Sequence, residues 1–594
     1  MTDPSVDRLL TRLFFRRFLE SDLLSPSGDS HESLTLGLAA LVVSGLWVSA
    51  GLVFKSLSPF VSPFGSLLSA LNDKFVGLAG AMIVTGLAAV IEWDALNLDG
   101  RDFAILGPLP IRSRSIFVAK LGALGWLVTS FALAMNALPA LMYPPLQADA
   151  LRLGLLSTLW VVVAHVGTSL AACSFGLLSV LVLREGVQLM AGRLVPAVSA
   201  AIQFLAVILL TTALLLVVAV RVQVPDVLDR GDKRLANTPP MWFVGLYETM
   251  VAPVIRPVEA QAPWHKRQYW TPAQDRQNRS RYLSYAPTLG RLRRHAVASL
   301  VVLTLGYAAL FMFNRRRLVL STRWDRPLAG RLHAPLRFLE CCVVRDPVAQ
   351  AGFFFTLQTL ARSPAHRAYL AGYLGAGVAM SIVVISVVGW GTGVAEAGAP
   401  PAQLMAVQMI LSFFLVSGIR RVFAIPSDLR ANWIFRLSWD GDSDRYLLGV
   451  RRAVKLGLLL PLFAVLAALQ ASLWGPQVAA AHFIAGWLAS ACLADAVLLN
   501  FFKLPFTCSY SPKGTFKTRW PLYAVALYAY SIGFTSLERR ALESARGMTE
   551  LVVGLVAVAT ALEGYRRLRS HRDAVLFDDP PEDPTLRLGL MSRD

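Results

Sequence analysis

Long apolar runs recur along the whole chain, and the short segments between them carry most of the charge. A helix needs roughly 17 to 25 mostly apolar residues to cross a bilayer, because each residue adds only about 1.5 Å of length. Twelve runs are candidates: 34–53, 75–91, 121–141, 155–183, 197–220, 296–313, 369–390, 404–419, 456–474, 478–501, 520–536 and 548–565. The pattern therefore predicts an all-α integral membrane protein with about twelve transmembrane helices.

The composition argues against two other classes of protein. With 55% hydrophobic and 16% charged residues, the chain is too apolar for a soluble multidomain protein. The net charge of +19 would suit a nucleic-acid ligand, but the Lys and Arg residues stand in short blocks beside the apolar runs, as in cytoplasmic membrane loops. We therefore expect no nucleic-acid partner. The five cysteines show no paired or ligand-like spacing, so we expect free thiols, no disulfides and no zinc.

The Lys and Arg content of the loops predicts the orientation of the spans. Loops 314–368 and 420–455 are rich in arginine, whereas loop 391–403 has neither Lys nor Arg. Because positive residues stay on the cytoplasmic side, an even number of spans places both termini in the cytoplasm. The same count places residues 221–295 outside.

The spans divide into two similar six-span halves. The predicted parts are an N-terminal amphipathic segment, the first half, a cytoplasmic linker with its own amphipathic segment, the second half and a cytoplasmic tail: 1–33, 34–313, 314–368, 369–565 and 566–594. In the N-terminal segment, Val6, Leu9, Leu10, Leu13 and Phe14 share one helical face, which is typical of a helix on the membrane surface. Internal repeats of this kind are common in transporters.

The predicted external segment, 221–295, contains an apolar and aromatic stretch, PPMWFVGLYETMVAP, at 239–253. We expect a short external helix that dips into the membrane interface. Trp242, Phe243 and Tyr247 would anchor it, since aromatic residues concentrate at that level. The alternative is a loop whose aromatic side chains simply pack on the spans.

A cytoplasmic stretch, 92–120, links the second and third predicted spans. Pro108 and Pro110 stiffen it, and Pro110 suits the first turn of a short helix from Ile111 onward. This helix would carry both basic and apolar side chains, which a soluble partner could bind. The alternative is a basic loop that lies on lipid headgroups.

The residues LGPLPIRSRSIFVAK, 106–120, resemble the leucine-proline, basic-residue and terminal-lysine pattern of the permease subunits of type-2 ABC exporters. In that family each half has six spans, an amphipathic N-terminal helix and a cytoplasmic coupling helix between spans two and three. The resemblance implies a fused, double-length permease in the cytoplasmic (inner) membrane of a bacterium. Such a permease contacts membrane lipids, exports a substrate whose identity stays unknown, and works with separate ABC ATPase subunits, expected as a dimer. Those subunits bind the ATP and Mg, so the chain itself is expected to hold no cofactor.

The resemblance also assigns docking residues for the ATPase. In the first half they are Leu109, Pro110, Arg112, Arg114 and Lys120. In the second half the segment 428–445 occupies the same place without the leucine-proline pair, and its candidates are Arg430, Trp433 and Arg436. The chain contains no G-x-x-x-x-G-K-[ST] loop, in agreement with ATP hydrolysis by a partner.

Three ionisable residues within the predicted spans are candidates for lining a transport path: His165, His482 and Asp495. Such groups are costly in a bilayer unless they are paired or face a cavity. The alternative is hydrogen bonding between helices. The sequence has no H-E-x-x-H or G-x-S-x-G motif, so we expect no enzyme and assign no catalytic or metal-binding residue. Two other functions stay open, a membrane enzyme acting on lipid-linked substrates and a membrane scaffold that transports nothing.

Overall fold

The fold is that of a computed structural model. It describes residues 4–19, 42, 63–93, 113–151, 153–190, 195–220, 222–232, 236–255, 272–320, 345–387, 400–427, 432, 443–499, 501, 504–507 and 516–570. These residues are almost entirely helical, and none of them forms a strand.

Ten helices within the described residues are long and apolar enough to cross a membrane: Leu67–Ile91, Val118–Leu146, Leu155–Met190, Ala197–Ala219, Ala273–Asn314, Pro364–Ser386, Ala402–Val422, Asp444–Trp474, Pro476–Leu498 and Ala545–Leu568. They correspond to ten of the twelve predicted spans. Predicted span 34–53 lies outside the described residues apart from Val42, and predicted span 520–536 is helical but is not among the ten. The described part of the chain is thus all-helical, and its ten apolar helices are those of a multi-pass membrane protein.

The chain forms two compact units, Met1–Arg323 and Trp324–Asp594. The described helices of the first unit are α1 (Pro4–Leu19), α2 (Pro63–Ile91), α3 (Ser113–Leu151), α4 (Leu155–Met190), α5 (Val195–Ala219), α6 (Val224–Arg230), α7 (Pro239–Ile255), α8 (Pro272–Ser284) and α9 (Ala286–Leu320). Those of the second unit are α10 (Pro347–Arg362), α11 (Pro364–Val387), α12 (Ala402–Val422), α13 (Ser443–Arg452), α14 (Leu460–Trp474), α15 (Pro476–Leu498), α16 (Phe516–Tyr528), α17 (Phe534–Ala541) and α18 (Ala545–Ser570).

Local sequence explains where many of these helices begin and where two of them widen. Proline stands at the first position of α2, α7, α10 and α15, where its missing N–H leaves no bond unmade and its fixed φ is already helical. Two π-helical turns, Ala453–Leu459 and Ala529–Gly533, join α13 to α14 and α16 to α17. Each joined pair is one continuous helix, and π turns of this kind are frequent at functional sites.

In the first unit, the amphipathic helix α1 packs on α3. Leu10 and Phe14 are buried there, and the Lys120 ammonium lies 5.8 Å from the centre of the Phe14 ring. Leu9 and Leu13, which the sequence pattern places on the same face, are 59% and 54% exposed. The apolar residues of α1 therefore divide between contacts with α3 and a surface that is free to meet lipid.

Helix α7 is embedded in the core of the first unit, among α2, α4 and α9. Its side chains Phe243 and Val251 are 0% exposed, and Tyr247 is buried as well. Of the three aromatic side chains of α7, only Trp242 keeps part of its surface exposed, with its ring 6.1 Å from that of Phe175. The helix expected at 239–253 is present, and its aromatic side chains pack on neighbouring helices.

In the second unit, α10 packs on α13 with the two backbones in contact. Two glycines permit this approach: a Cβ atom at Gly352 would overlap the carbonyl oxygen of Tyr446, and one at Gly449 would overlap that of Ala349. Asp346 begins α10 by accepting a hydrogen bond from the Ala349 N–H at 3.0 Å, the usual role of an N-cap aspartate. The amphipathic segment expected in the linker is therefore a helix fixed against α13.

Candidate functional site

A buried ion pair lies inside the first unit. Lys74 of α2 and Glu248 of α7 are 2.5 Å apart from Nζ to Oε1, and their side chains are 2% and 1% exposed. Moving such charges out of water costs several kcal/mol each, so a buried pair needs close geometry and further polar partners. Ionisable residues within membrane spans are rare and mark candidate functional sites.

Three aromatic residues complete this cluster. Tyr282 of α8 donates its hydroxyl to the second carboxylate oxygen of Glu248. The Lys74 ammonium lies 4.2 Å from the centre of the Tyr247 ring, within the range of a cation–π contact. The ring of His165 meets that of Tyr247 edge-on, with 6.0 Å between centroids. The predicted path residue His165 therefore belongs to a buried cluster shared by α2, α4, α7 and α8.

Further hydrogen bonds hold α6 and α7 against the spans. The Asn72 side chain donates to Gln223 Oε1 at 2.8 Å and accepts from the Val224 N–H at 2.7 Å. The Trp160 indole donates to the Met250 carbonyl at 2.8 Å. These bonds connect α2 to the start of α6 and α4 to the second half of α7. Helices α6 and α7 are therefore fixed parts of the unit.

A more exposed ionic group lies where α6 meets α8. Arg281 Nε donates to the Asp229 carboxylate at 2.8 Å, and the Tyr285 hydroxyl donates to its other oxygen at 2.7 Å. The hydrogen bond from Tyr285, with that from Arg281, holds the pKa of the Asp229 carboxyl below its ordinary value. Because Arg281 and Asp229 stay 38% and 42% exposed, the pair orients α6 on α8 and adds little stability.

The second unit contains its own buried ionisable pair. His482 of α15 and Glu538 of α17 have 0% exposed side chains, and His482 Nδ1 lies 2.8 Å from Glu538 Oε1. The Gln408 amide of α12 donates to the His482 carbonyl at 3.0 Å. The Trp474 ring meets the imidazole with 5.9 Å between centroids. The predicted path residue His482 is therefore enclosed by α12, α15, α17 and the end of α14.

A cluster of hydroxyls lies along the same helices. The Tyr530 hydroxyl, in the second π turn, is 3.1 Å from Ser412 Oγ and 2.8 Å from Ser490 Oγ, and both serines are 0% exposed. Ser412 is one turn from Gln408, and Ser490 is two turns from His482. Polar side chains thus follow the line where α12, α15 and the helix 516–541 meet. We name this line the polar seam: Gln408, Ser412, His482, Ser490, Tyr530 and Glu538.

The third predicted path residue, Asp495, pairs with Lys455 at 2.5 Å. Lys455 lies in the first π turn, and its carbonyl accepts the Trp487 indole N–H at 3.3 Å. On α13, Arg451 is 3.5 Å from Glu563 of α18. These pairs join the start of the helix 443–474 to the ends of α15 and α18, which the predicted topology places on the cytoplasmic side.

The described residues include little of the predicted docking elements. Outside them lie Leu109, Pro110, Arg112, Arg430, Trp433 and Arg436. Arg114 is in the first turn of α3. Lys120 is 2% exposed and its ammonium contacts the Phe14 ring, so this lysine helps to hold α1 on α3.

The loop that follows α15 is bonded to the start of the second docking element. The Phe506 N–H donates to the Phe423 carbonyl at 3.1 Å, and the Ser427 N–H donates to the Phe506 carbonyl at 2.8 Å. The Asn432 amide donates to the Thr507 carbonyl at 2.6 Å. Phe506 has a φ of 65°, which is uncommon for a residue with a side chain. Its buried ring and these bonds fix the approach to residues 428–445.

Sequence reasoning missed four charged members of these clusters: Lys74, Glu248, Lys455 and Glu538. Lys74, Lys455 and Glu538 adjoin the ends of predicted spans, where the apolar run stops. The helices continue past these charges, so the side chains are drawn into helix contacts. Glu248 stands in an apolar stretch, and an isolated acid among apolar residues is the signal that could have found it.

Comparison of the chain with protein-family models, with curated proteins and with solved structures finds no match. The fold and its clusters therefore define the protein only as a class, a multi-pass helical membrane protein with an ionisable pair buried inside each of its two units. Such pairs can fix helices to one another, and they can take up or release protons when the helices move.

Proposed function

We propose that the protein is the permease of an ATP-driven ABC exporter of the type-2 class. Two fused six-span halves form the path for an export substrate, and separate ATPase subunits dock on the cytoplasmic face. The observation that carries this proposal is that the helices of the two units pack in the same order.

In the first unit α1 packs on α3, α2 packs on α4 and α5, and α4 packs on α3 and α9. In the second unit α10 packs on α13, α12 packs on α15 and on the helix 516–541, and α15 packs on α14 and α18. Each of these contacts has a counterpart at the same place in the order of helices. A duplicated packing pattern supports two halves of one transport path, since transporters are commonly built from internal repeats.

The amphipathic helices suggest how force from an ATPase would reach the spans. Helices α1 and α10 contact α3 and α13, and each of α3 and α13 begins within a predicted docking element. The exposed Leu9 and Leu13 would keep α1 at the lipid surface. A push on either docking element would then act on a span whose start is held at the membrane surface.

The proposal is tested by purifying the tagged chain from native membranes and identifying bound proteins by mass spectrometry. We expect two copies of an ATPase that carries a G-x-x-x-x-G-K-[ST] loop. We also expect the double variants L109A/R112A and W433A/R436A to weaken ATPase binding, because truncating an interface anchor typically costs about 2 kcal/mol, or roughly thirtyfold in affinity. ATP hydrolysis in nanodiscs should fall in parallel.

A matched control for this experiment is R567A/L568A, which removes an arginine and a leucine that is 78% exposed at the end of α18. This control should retain the ATPase as the parent does. A parent chain that purifies without any such ATPase would contradict the proposal. If the ATPase binds but both docking variants retain it and couple it normally, the docking residues are wrong while the export function stands.

A further inference from the structure

The polar seam and Ser531 beside it contain four buried polar atoms with no hydrogen-bond partner among the described residues: His482 Nε2, Glu538 Oε2, Gln408 Oε1 and Ser531 Oγ. Buried polar groups in proteins almost always have partners, because an unmade hydrogen bond lowers stability. Ser531 lies seven residues before Glu538, so both stand on the same side of one helix. Four such atoms where these helices meet indicate that the site can bind a ligand.

The His482–Glu538 pair decides what kind of ligand would satisfy these atoms. Nδ1 of His482 faces Glu538, so when the carboxylate is ionised a neutral imidazole carries its hydrogen on Nδ1 and Nε2 can only accept. Glu538 Oε2 and Gln408 Oε1 are also acceptors, and the Ser531 hydroxyl can act either way. A ligand of this site must therefore supply a hydrogen.

Burial restricts the ligand to something very small. The side chains of His482 and Glu538 are 0% exposed, and Gln408 and Ser531 are buried with them. Helices α12 and α15 are in close contact, because a Cβ atom at Gly486 would overlap the Gln408 amide nitrogen, and α17 packs on α12. A proton is the one hydrogen-supplying ligand that needs no space of its own.

We propose that the His482–Glu538 pair is a proton-binding site that holds one proton while α12, α15 and α17 are packed together. With this proton the pair has no net charge, either as imidazolium with carboxylate or as two neutral groups. Without it, a lone carboxylate would remain in a site that is 0% exposed, which is strongly unfavourable. When the helices separate and water enters, the penalty falls and the proton leaves to water.

No other described charge takes the place of the proton. Among the described residues, His482 is the only basic side chain within 4.0 Å of Glu538. Facing the pair, α12 has no charged residue before Arg420 and α14 has none at all. The π turn contributes Tyr530, α17 continues with Arg539 and Arg540, and α18 begins with the exposed pair Arg546 and Glu550.

This inference goes beyond the proposed export function, because the proton is linked to the packing of the second unit whether or not an ATPase binds. It gives that unit a pH-sensitive step in any cycle that opens the contact between α12, α15 and α17. The π turn that carries Tyr530 and Ser531 agrees with such a role, since π turns often accompany functional sites.

The test is the melting temperature of the purified full chain in lipid nanodiscs as a function of pH, without any ATPase. In the unfolded chain, histidine loses its proton at about pH 6.5, whereas the packed His482–Glu538 pair keeps its proton. Above that pH the folded state binds more protons than the unfolded state, so stability falls as pH rises. The unfolding constant should increase by up to about tenfold per pH unit until the folded pair also releases its proton.

In the variant E538Q, stability should no longer decrease as pH rises, since a neutral amide opposite His482 needs no proton to balance it. The matched control E550Q removes a glutamate of an exposed pair, and its stability should decrease with rising pH as that of the parent does. If E538Q does not fold, the variant H482Q serves instead. The proton then rests on Glu538, and stability should begin to decrease about two pH units lower, near the ordinary pKa of glutamate. A parent profile that is flat or rising above about pH 6.5 overturns the proposal, as does an unchanged fall in E538Q or in H482Q.

Discussion

At the scale of single residues, burial decides what an ion pair contributes. Lys74 and Glu248 are 2% and 1% exposed, whereas Arg546 and Glu550 form a pair that is 90% and 66% exposed. An exposed pair contributes about 0–1 kcal/mol, because water and salt screen it. Removing one partner of a buried pair costs about 3–5 kcal/mol, because the other charge stays buried and unpaired.

We therefore expect the variant K74M to lower the free energy of unfolding by about 3–5 kcal/mol. The double variant K74M/E248Q should recover much of this loss, since it removes the second charge and leaves an oxygen for the Tyr282 hydroxyl. Unfolding in mixed detergent measures both. The exposed control R546Q should stay within about 1 kcal/mol of the parent. A double variant that is no more stable than K74M would show that the cost lies in packing and not in the unpaired charge.

At the scale of elements, the sequence predicts which segments are helical better than where each helix ends. The run 155–183 predicts a span, and the helix indeed begins at Leu155, but it continues to Met190. Lys74 stands just before the predicted span 75–91, yet α2 begins earlier, at Pro63. The hydrophobic pattern measures affinity for lipid, whereas a helix continues as long as its backbone bonds and protein contacts favour it.

The contact of α7 with α9 depends on Gly245. A Cβ atom there would lie 2.5 Å from Leu292 Cβ and 2.7 Å from the Leu289 carbonyl oxygen. The variant G245A should push the helices apart and destabilise the first unit by about 1–3 kcal/mol, as overpacking commonly does. The control G290A, on α9, places its Cβ where nothing lies within 4 Å, so it should be neutral or slightly stabilising.

Thermal unfolding and protease digestion of the purified chain measure this difference. In G245A we expect faster cleavage around α7, because its buried side chains become accessible when the contact with α9 loosens. Equal melting temperatures and cleavage rates for G245A and G290A would mean that α7 is not held by this contact.

At the scale of the whole molecule, the described parts of the two units differ in what precedes the last apolar helix of each. The first unit places α6, α7 and α8 between α5 and α9, whereas in the second unit only residues 542–544 separate α17 from α18. The sequence indicates the longer insertion of the first unit, since a long polar segment with prolines follows the fifth apolar run. The sequence does not predict that Lys74 contacts Glu248, 174 positions away, because the hydrophobic pattern of one chain does not specify which helices face each other.

The number of crossings in the second unit decides whether the halves are equivalent, and three exposed positions test it. Arg445, Gln477 and Ser544 lie at the start of α13, at the start of α15 and just before α18. The helix 444–474 separates the first position from the second. Helix 476–498 and helix 516–541 lie between the second and the third. If all of these helices cross, Gln477 and Ser544 face one side of the membrane and Arg445 faces the other.

The experiment places single cysteines at these positions, in a chain whose five natural cysteines are replaced by alanine. Because arginine-rich loops stay in the cytoplasm, an impermeant maleimide should label Q477C and S544C in intact cells, and R445C only after permeabilisation. Labelling of Q477C alone would mean that the helix 516–541 does not cross the membrane. The second half would then not have the six spans predicted for each half. Labelling of R445C in intact cells, with protection of Q477C, would reverse the predicted orientation and place the docking elements on the wrong side of the membrane for any ATPase.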